Sequence, residues 1–210
     1  MFYFNTLPKV LTPDQNGIPI LMTNLLARAK LIDELKDNTM LFYSYIIKDE
    51  DTPEIIADKY YGDSYKYWIV LYSNNLMDPL WDWPMDYNQL MLYLNSKYAA
   101  AAEEADLTPF EYMQLTVYSY EKVIQTTDRS TEAVTTIYQN ITEDAYTSLM
   151  PTTNTYSPDG INEVSVDISK RIVSIYDYEY ELNERKRQIQ IMNVEYVAEM
   201  EKRFEELMGA

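Results

Sequence analysis

The chain has 210 residues, 47% of them hydrophobic, so it can bury a core in one or two domains. Its net charge of −17 excludes the basic footprint that nucleic acid or an anionic membrane requires. It has no histidine and no cysteine, which removes disulfides, thiolate nucleophiles, His/Cys zinc sites and the commonest general base at neutral pH.

Residues 1–22 read as an irregular N-terminal arm, punctuated by Pro8, Pro13, Gly17 and Pro19 and carrying Phe2, Tyr3, Phe4 and Leu7 as apolar anchors. Thr23 then caps an expected helix over residues 24–36, with Leu25, Ala29, Ile32 and Leu35 on one face. "MLFYSYII", residues 40–47, is rich in aromatic and β-branched residues and predicts a strand. Thr52 as N-cap and Pro53 at the first helical position open a helix over 53–60, and Gly62 stops it. A second helix over 64–73 carries Tyr67, Trp68, Leu71 and Tyr72 at helical spacing and ends at Asn74 and Asn75. A third is expected over 86–102, with Leu90, Leu94 and Tyr98 on one side.

Thr108, Pro109 and Glu111 form the signature of a capping box and another helix start. Residues 115–149 become Thr-rich and alternating, with "TDRST" as a turn, and read as a β-hairpin or extended arm. "MPTTNTYSPDGIN" reads as a loop. The C-terminal part admits one long helix over 168–208 or a broken segment. The broken reading is preferred: a helix over 174–186, a strand in "RQIQIM" with Ile189 and Ile191 on one side, and Asn193 capping a helix to Met208.

The opening "MFYFNTLPKV" lacks the basic start and apolar run of a secretion signal, and no segment approaches the roughly 20 apolar residues that span a bilayer. A product of a reducing cytoplasm is expected. With four glycines and no Walker, GxGxxG, GxSxG or HExxH pattern, phosphate-cradling loops and familiar catalytic motifs are missing. No enzymatic activity, cofactor, metal or small-molecule substrate is expected. The 21 tyrosines, each an apolar ring with a polar tip, suit a chain with much contact surface.

"YSYIIKDEDTPEIIADKYYGDSYKYWIVLYSNN" resembles a LysM module. The roles of that pattern fall on Tyr45 and Ile47, Asp51 and Thr52, Ile56 and Ala57, Trp68 and Leu71, and Asn75. The resemblance implies a βααβ unit, whose second strand has room only around Leu80–Trp83. More narrowly, "DTPEIIADKYYGDSYKYW" followed by "NNLMDPLWDWP" resembles the LysM-like wedge subunit of contractile-tailed bacteriophage baseplates. So does the closing "YDYEYELNERKRQIQIMNVEYVAEMEKRFEELM". The resemblance covers about 1–100 and 165–208.

It implies an α+β chain: a small LysM-like unit with flanking helices, an extended arm, a Thr-rich hairpin and a C-terminal helical segment. The organisation expected is 1–22 arm, 23–104 helix, LysM-like domain and following helix, 105–163 Thr-rich insertion, and 164–210 helix-strand-helix. The role implied is structural. The protein would sit in the virion tail and clamp other baseplate wedge and tail proteins in a six-fold assembly, without nucleic acid or membrane. The alternative is a peptidoglycan-binding LysM protein accessory to a cell-wall hydrolase.

Most of the aromatic stripe reads as core, with Trp68 buried between the two short helices. Tyr61, Tyr65, Trp81 and Trp83 are candidates for a partner-binding face, because Trp and Tyr are enriched in hot spots. Tyr196, Met200, Phe204 and Leu207 on the last helix are a second candidate patch, with packing on the chain's own domain as the competing reading. On the docking reading, a chain truncated after Gln188 keeps its LysM-like part folded. The acidic run Asp49, Glu50 and Asp51 reads as a solvated turn. Arg185, Lys186 and Arg187 read as partners of nearby carboxylates, Glu181 with Arg185 among them.

Overall fold

The computed structural model describes residues 6–25, 27, 40–157 and 163–208. The expected helix over 24–36 falls almost wholly outside them, as do Phe2, Tyr3 and Phe4 of the arm. The chain is of the α+β class and forms two compact units. One is residues 1–86 with 184–210, the other residues 87–183.

In the first unit, strands β1 (Lys9–Pro13) and β2 (Pro19–Thr23) pair antiparallel as a hairpin. This corrects the irregular arm, and it makes Thr23 a strand end instead of a helix cap. Asp14 accepts hydrogen bonds from the Asn16 and Ile18 amides at 2.8 Å each, and Gly17 supplies φ +80° at the turn. Pro13 and Pro19 oppose each other next to the hydrogen-bonded 14–18 pair, at a position where the ladder asks for no N–H.

Strand β3 (Phe42–Ile46) is followed by helix α1 (Pro53–Tyr61), a short 3-10 turn (Ser64–Lys66) and helix α2 (Tyr67–Ser73). The start of α1 is as the sequence predicts. Thr52 accepts from the Ile55 amide, Pro53 stands first, and Gly62 ends the helix at φ +66°. No strand forms at Leu80–Trp83. The partner of β3 is instead β8 (Gln188–Met192), antiparallel, with Phe42 opposite Met192 and Tyr45 opposite Ile189. Helix α8 (Val194–Met208) follows β8, and the Asn193 side chain accepts from the Glu195 amide at its start.

Two apolar clusters form around this small sheet. Phe42, Trp68, Ile69, Met192, Val197, Phe204, Met208 and Leu7 make the first. Ile47, Ile56, Ala57, Val70, Ile189 and Ile191 make the second. Helix α2 feeds both. Trp68 is buried, as expected, but its main neighbour is the C-terminal helix: its ring centroid lies 4.9 Å from that of Phe204.

The second unit holds helices α3 (Tyr87–Lys97), α4 (Ala99–Glu104) and α5 (Pro109–Leu115). The capping box of Thr108 and Glu111 is present. Strands β4 (Val117–Asp128) and β5 (Val134–Ile141) form the expected hairpin around the 129–133 turn. After α6 (Glu143–Ser148), β6 (Thr152–Tyr156) and β7 (Val164–Ser174) extend it to a four-stranded antiparallel sheet in the order β5-β4-β7-β6. The 150–162 loop reading therefore missed β6. Helix α7 (Ile175–Arg185) follows β7, so the broken reading of the C-terminal segment describes the chain and the single long helix does not.

Candidate protein-binding surface

The loop after α2 is held from below. Asn74 donates to the Val70 and Gln190 carbonyls at 2.8 Å each and accepts from the Gln190 amide at 2.7 Å, so it ties the end of α2 to β8. The expected Asn75 makes no such bond; it takes φ +54° as the chain turns. Asp82 accepts from the Met77 and Asp78 amides at 2.9 and 3.0 Å. Those two amides, Asp78 first, and the positive charge of Lys186 hold the Asp82 carboxyl below its usual value. The Lys186 ammonium donates to the Trp81 carbonyl. An open cleft of about 310 Å³ lies among Asn74, Asn75, Leu76, Asp82, Lys186, Gln188 and Ile189.

This bracing presents apolar groups to solvent. Leu80 is 81% exposed, Met77 67% and Trp81 54%. Tyr65, in the short turn before α2, is 62% exposed. Such groups on a hydrogen-bonded loop make contacts at small ordering cost. Trp83 is different: its indole N–H donates to the Asp51 carbonyl at 3.1 Å, and its ring packs on the second cluster. Tyr61 is half-buried between both clusters, and burial raises its hydroxyl pKa. Both side chains pack into the fold and are only partly exposed.

The helix α8 patch is also corrected. Phe204 is only 2% exposed, and Tyr196 and Met200 pack on the first cluster, so this stripe faces the chain's own core. Leu207 alone of the four points outward. The basic run is likewise used internally. Arg187 pairs with Asp49 and Glu184 at 2.8 Å each, and Glu181 pairs with Arg171 at 2.7 Å. Asp51 accepts from the Tyr45 hydroxyl at 2.7 Å and the Lys48 amide at 2.9 Å, which locks the turn before α1.

The arrangement brings together no nucleophile and base; it offers an apolar, braced contact surface. None of the described helices is long and apolar enough to cross a membrane. No curated protein matches the chain. A family model does: residues 6–102 match base plate wedge protein 53, a segment that contains β3, α1, α2 and the exposed loop. Over those residues the chain is similar to a phage baseplate wedge family.

Proposed function

We propose that the chain is a non-enzymatic clamp of the virion tail, joining neighbouring wedge and tail subunits of a six-fold baseplate through several separated patches. The family match over residues 6–102 carries this reading, because the family's role is structural. The loop with Met77, Leu80 and Trp81, together with Tyr65, is the patch best suited to a partner. Linked patches gain avidity, because each bound patch raises the local concentration of the next.

The test is co-assembly of the purified full chain with the other wedge proteins. The double substitution Leu80→Ser with Trp81→Ser removes exposed side chains, so melting should stay within a few degrees of the parent. Loss of a hot spot should weaken retention in the wedge roughly thirtyfold or more. Unchanged assembly by this variant would move the contact elsewhere. If the intact protein binds purified peptidoglycan and no tail protein, the clamp reading is wrong and the LysM wall-binding alternative stands.

A further inference from the structure

The four-stranded sheet of the second unit has two unlike faces. By register, Glu121, Val123, Tyr138 and Arg171 share one of them. Its charges are satisfied: Arg171 pairs with Glu121 at 2.8 Å and with Glu181 at 2.7 Å, and lies 4.5 Å above the Tyr138 ring. The opposite face sets Ile124 against Ile168 at its centre, with Ile137, Val166, Ile172 and Tyr156 around them. None of these six side chains is buried. Helix α6 packs at the Tyr120 end, where the Tyr146 ring sits 5.0 Å from that of Tyr120. A sheet face so rich in β-branched residues normally packs against another layer.

The same open face carries Lys122 and Lys170 directly opposite each other on β4 and β7. Like charges in register destabilise a sheet. The Lys170 ammonium donates to the Tyr146 carbonyl at 2.7 Å and lies 4.6 Å above its ring. Among the described residues, neither lysine has a carboxylate at ion-pair distance. Two nearby acids are otherwise engaged: Glu143 with the Tyr120 hydroxyl, and Asp128 with Ser130 and Thr131 in the hairpin turn. The chain has 34 acidic and 17 basic residues, so a lysine pair with no carboxylate partner among the described residues, beside the apolar centre of this face, is not a product of composition.

We propose that this face docks an acidic, amphipathic segment of another baseplate protein. Apolar side chains of that segment would cover Ile124 and Ile168, and its carboxylates would neutralise Lys122 and Lys170. The inference rests on the wedge reading and adds the chemistry of one partner. A second copy presenting the same face is disfavoured by the lysines themselves, since symmetric stacking would bring four ammonium groups together.

Zero-length carbodiimide coupling, which joins amines only to carboxylates in contact with them, tests this on purified baseplates containing the unmodified full chain. The expected product links Lys122 or Lys170 to an Asp or Glu of a different protein. Both lysines should also be protected from amine acylation in the particle and reactive in the isolated chain. In a second arm, Lys122→Glu with Lys170→Glu should lower retention in the particle about tenfold or more, while Lys122→Arg with Lys170→Arg retains it. If the chain enters the particle but both lysines acylate as fast as in the free protein, the docking inference fails and the wedge reading survives. Coupling only to another copy of this chain also overturns it. A chain that never enters the particle overturns both.

Discussion

Asn74 closes α2 and at the same time satisfies the outer edge of β8, through both polar groups of Gln190. A side chain here does what a neighbouring strand would do. Asn74→Ala leaves the Gln190 N–H and C=O without that partner in a half-buried place. We expect a loss of about 2–3 kcal/mol in urea unfolding of the full chain, at about 1–3 kcal/mol per unsatisfied group. A loss below about 0.5 kcal/mol would mean that water replaces the amide. Two tyrosines give a pH signature. Burial first, then hydrogen bonds to Asp51 and Glu179, push Tyr45 and Tyr98 from 10.0 up to about 12. The protonated phenol is therefore favoured in the folded chain. Its stabilisation is complete below pH 10 and is lost as the pH rises through about 12. Tyr45→Phe with Tyr98→Phe should remove two groups from the late phase of a phenolate absorbance titration. It should also flatten the alkaline fall in stability over that window. An unchanged late phase would assign it to other tyrosines.

Strand β8 and helix α8 complete the core that begins with β3, so the expectation for a chain ending at Gln188 reverses. That truncation removes Ile189, Ile191 and Met192 from the sheet and Val197, Phe204 and Met208 from the helix. Each large core deletion costs about 2–5 kcal/mol, and a domain has only about 5–15 kcal/mol in total. The first unit should therefore fail to fold, seen as loss of near-ultraviolet Trp dichroism and of protease resistance over residues 40–86. A truncated chain that retains both would refute the shared core. The ends of α1, α5 and α8 were legible because caps are local: Thr52 and Gly62, Thr108 with Glu111, Asn193. The β3 partner was not, since nothing near Leu80 reports that Ile189 and Ile191 will arrive from the far end of the chain. Strand β7 had a signal, Val164, Val166 and Ile168 at period two, and Asn16-Gly17 likewise marked the β1–β2 turn. Strand β6, "TTNTY", has no apolar pattern and exists by pairing with β7. At the candidate surface, spacing picked out the Tyr196, Met200 and Phe204 face of α8. Periodicity identifies a stripe but not what covers it, and here the cover is the chain itself.

Taken as one molecule, the chain crosses its own midpoint several times. Strand β3 pairs with β8, and Lys97 of α3 with the buried Glu179 of α7 at 2.6 Å. The segment matched by the wedge family, residues 6–102, therefore contains only part of the buried surface that keeps it folded. A cut in the exposed β4–β5 turn tests this. Residues 129–133 join two strands whose ladder does not depend on them, and opening one loop costs only the modest entropy of its closure. With a protease site inserted between Ser130 and Glu132, the cleaved chain should elute as one species in native gel filtration. Its pieces should part only in denaturant, because Phe42, Trp68 and Ile69 on one piece share a cluster with Met192, Val197 and Phe204 on the other. The nicked protein should keep the Trp dichroism of the intact one. Separation of the pieces in native buffer at micromolar concentration would show that the two ends do not share a core.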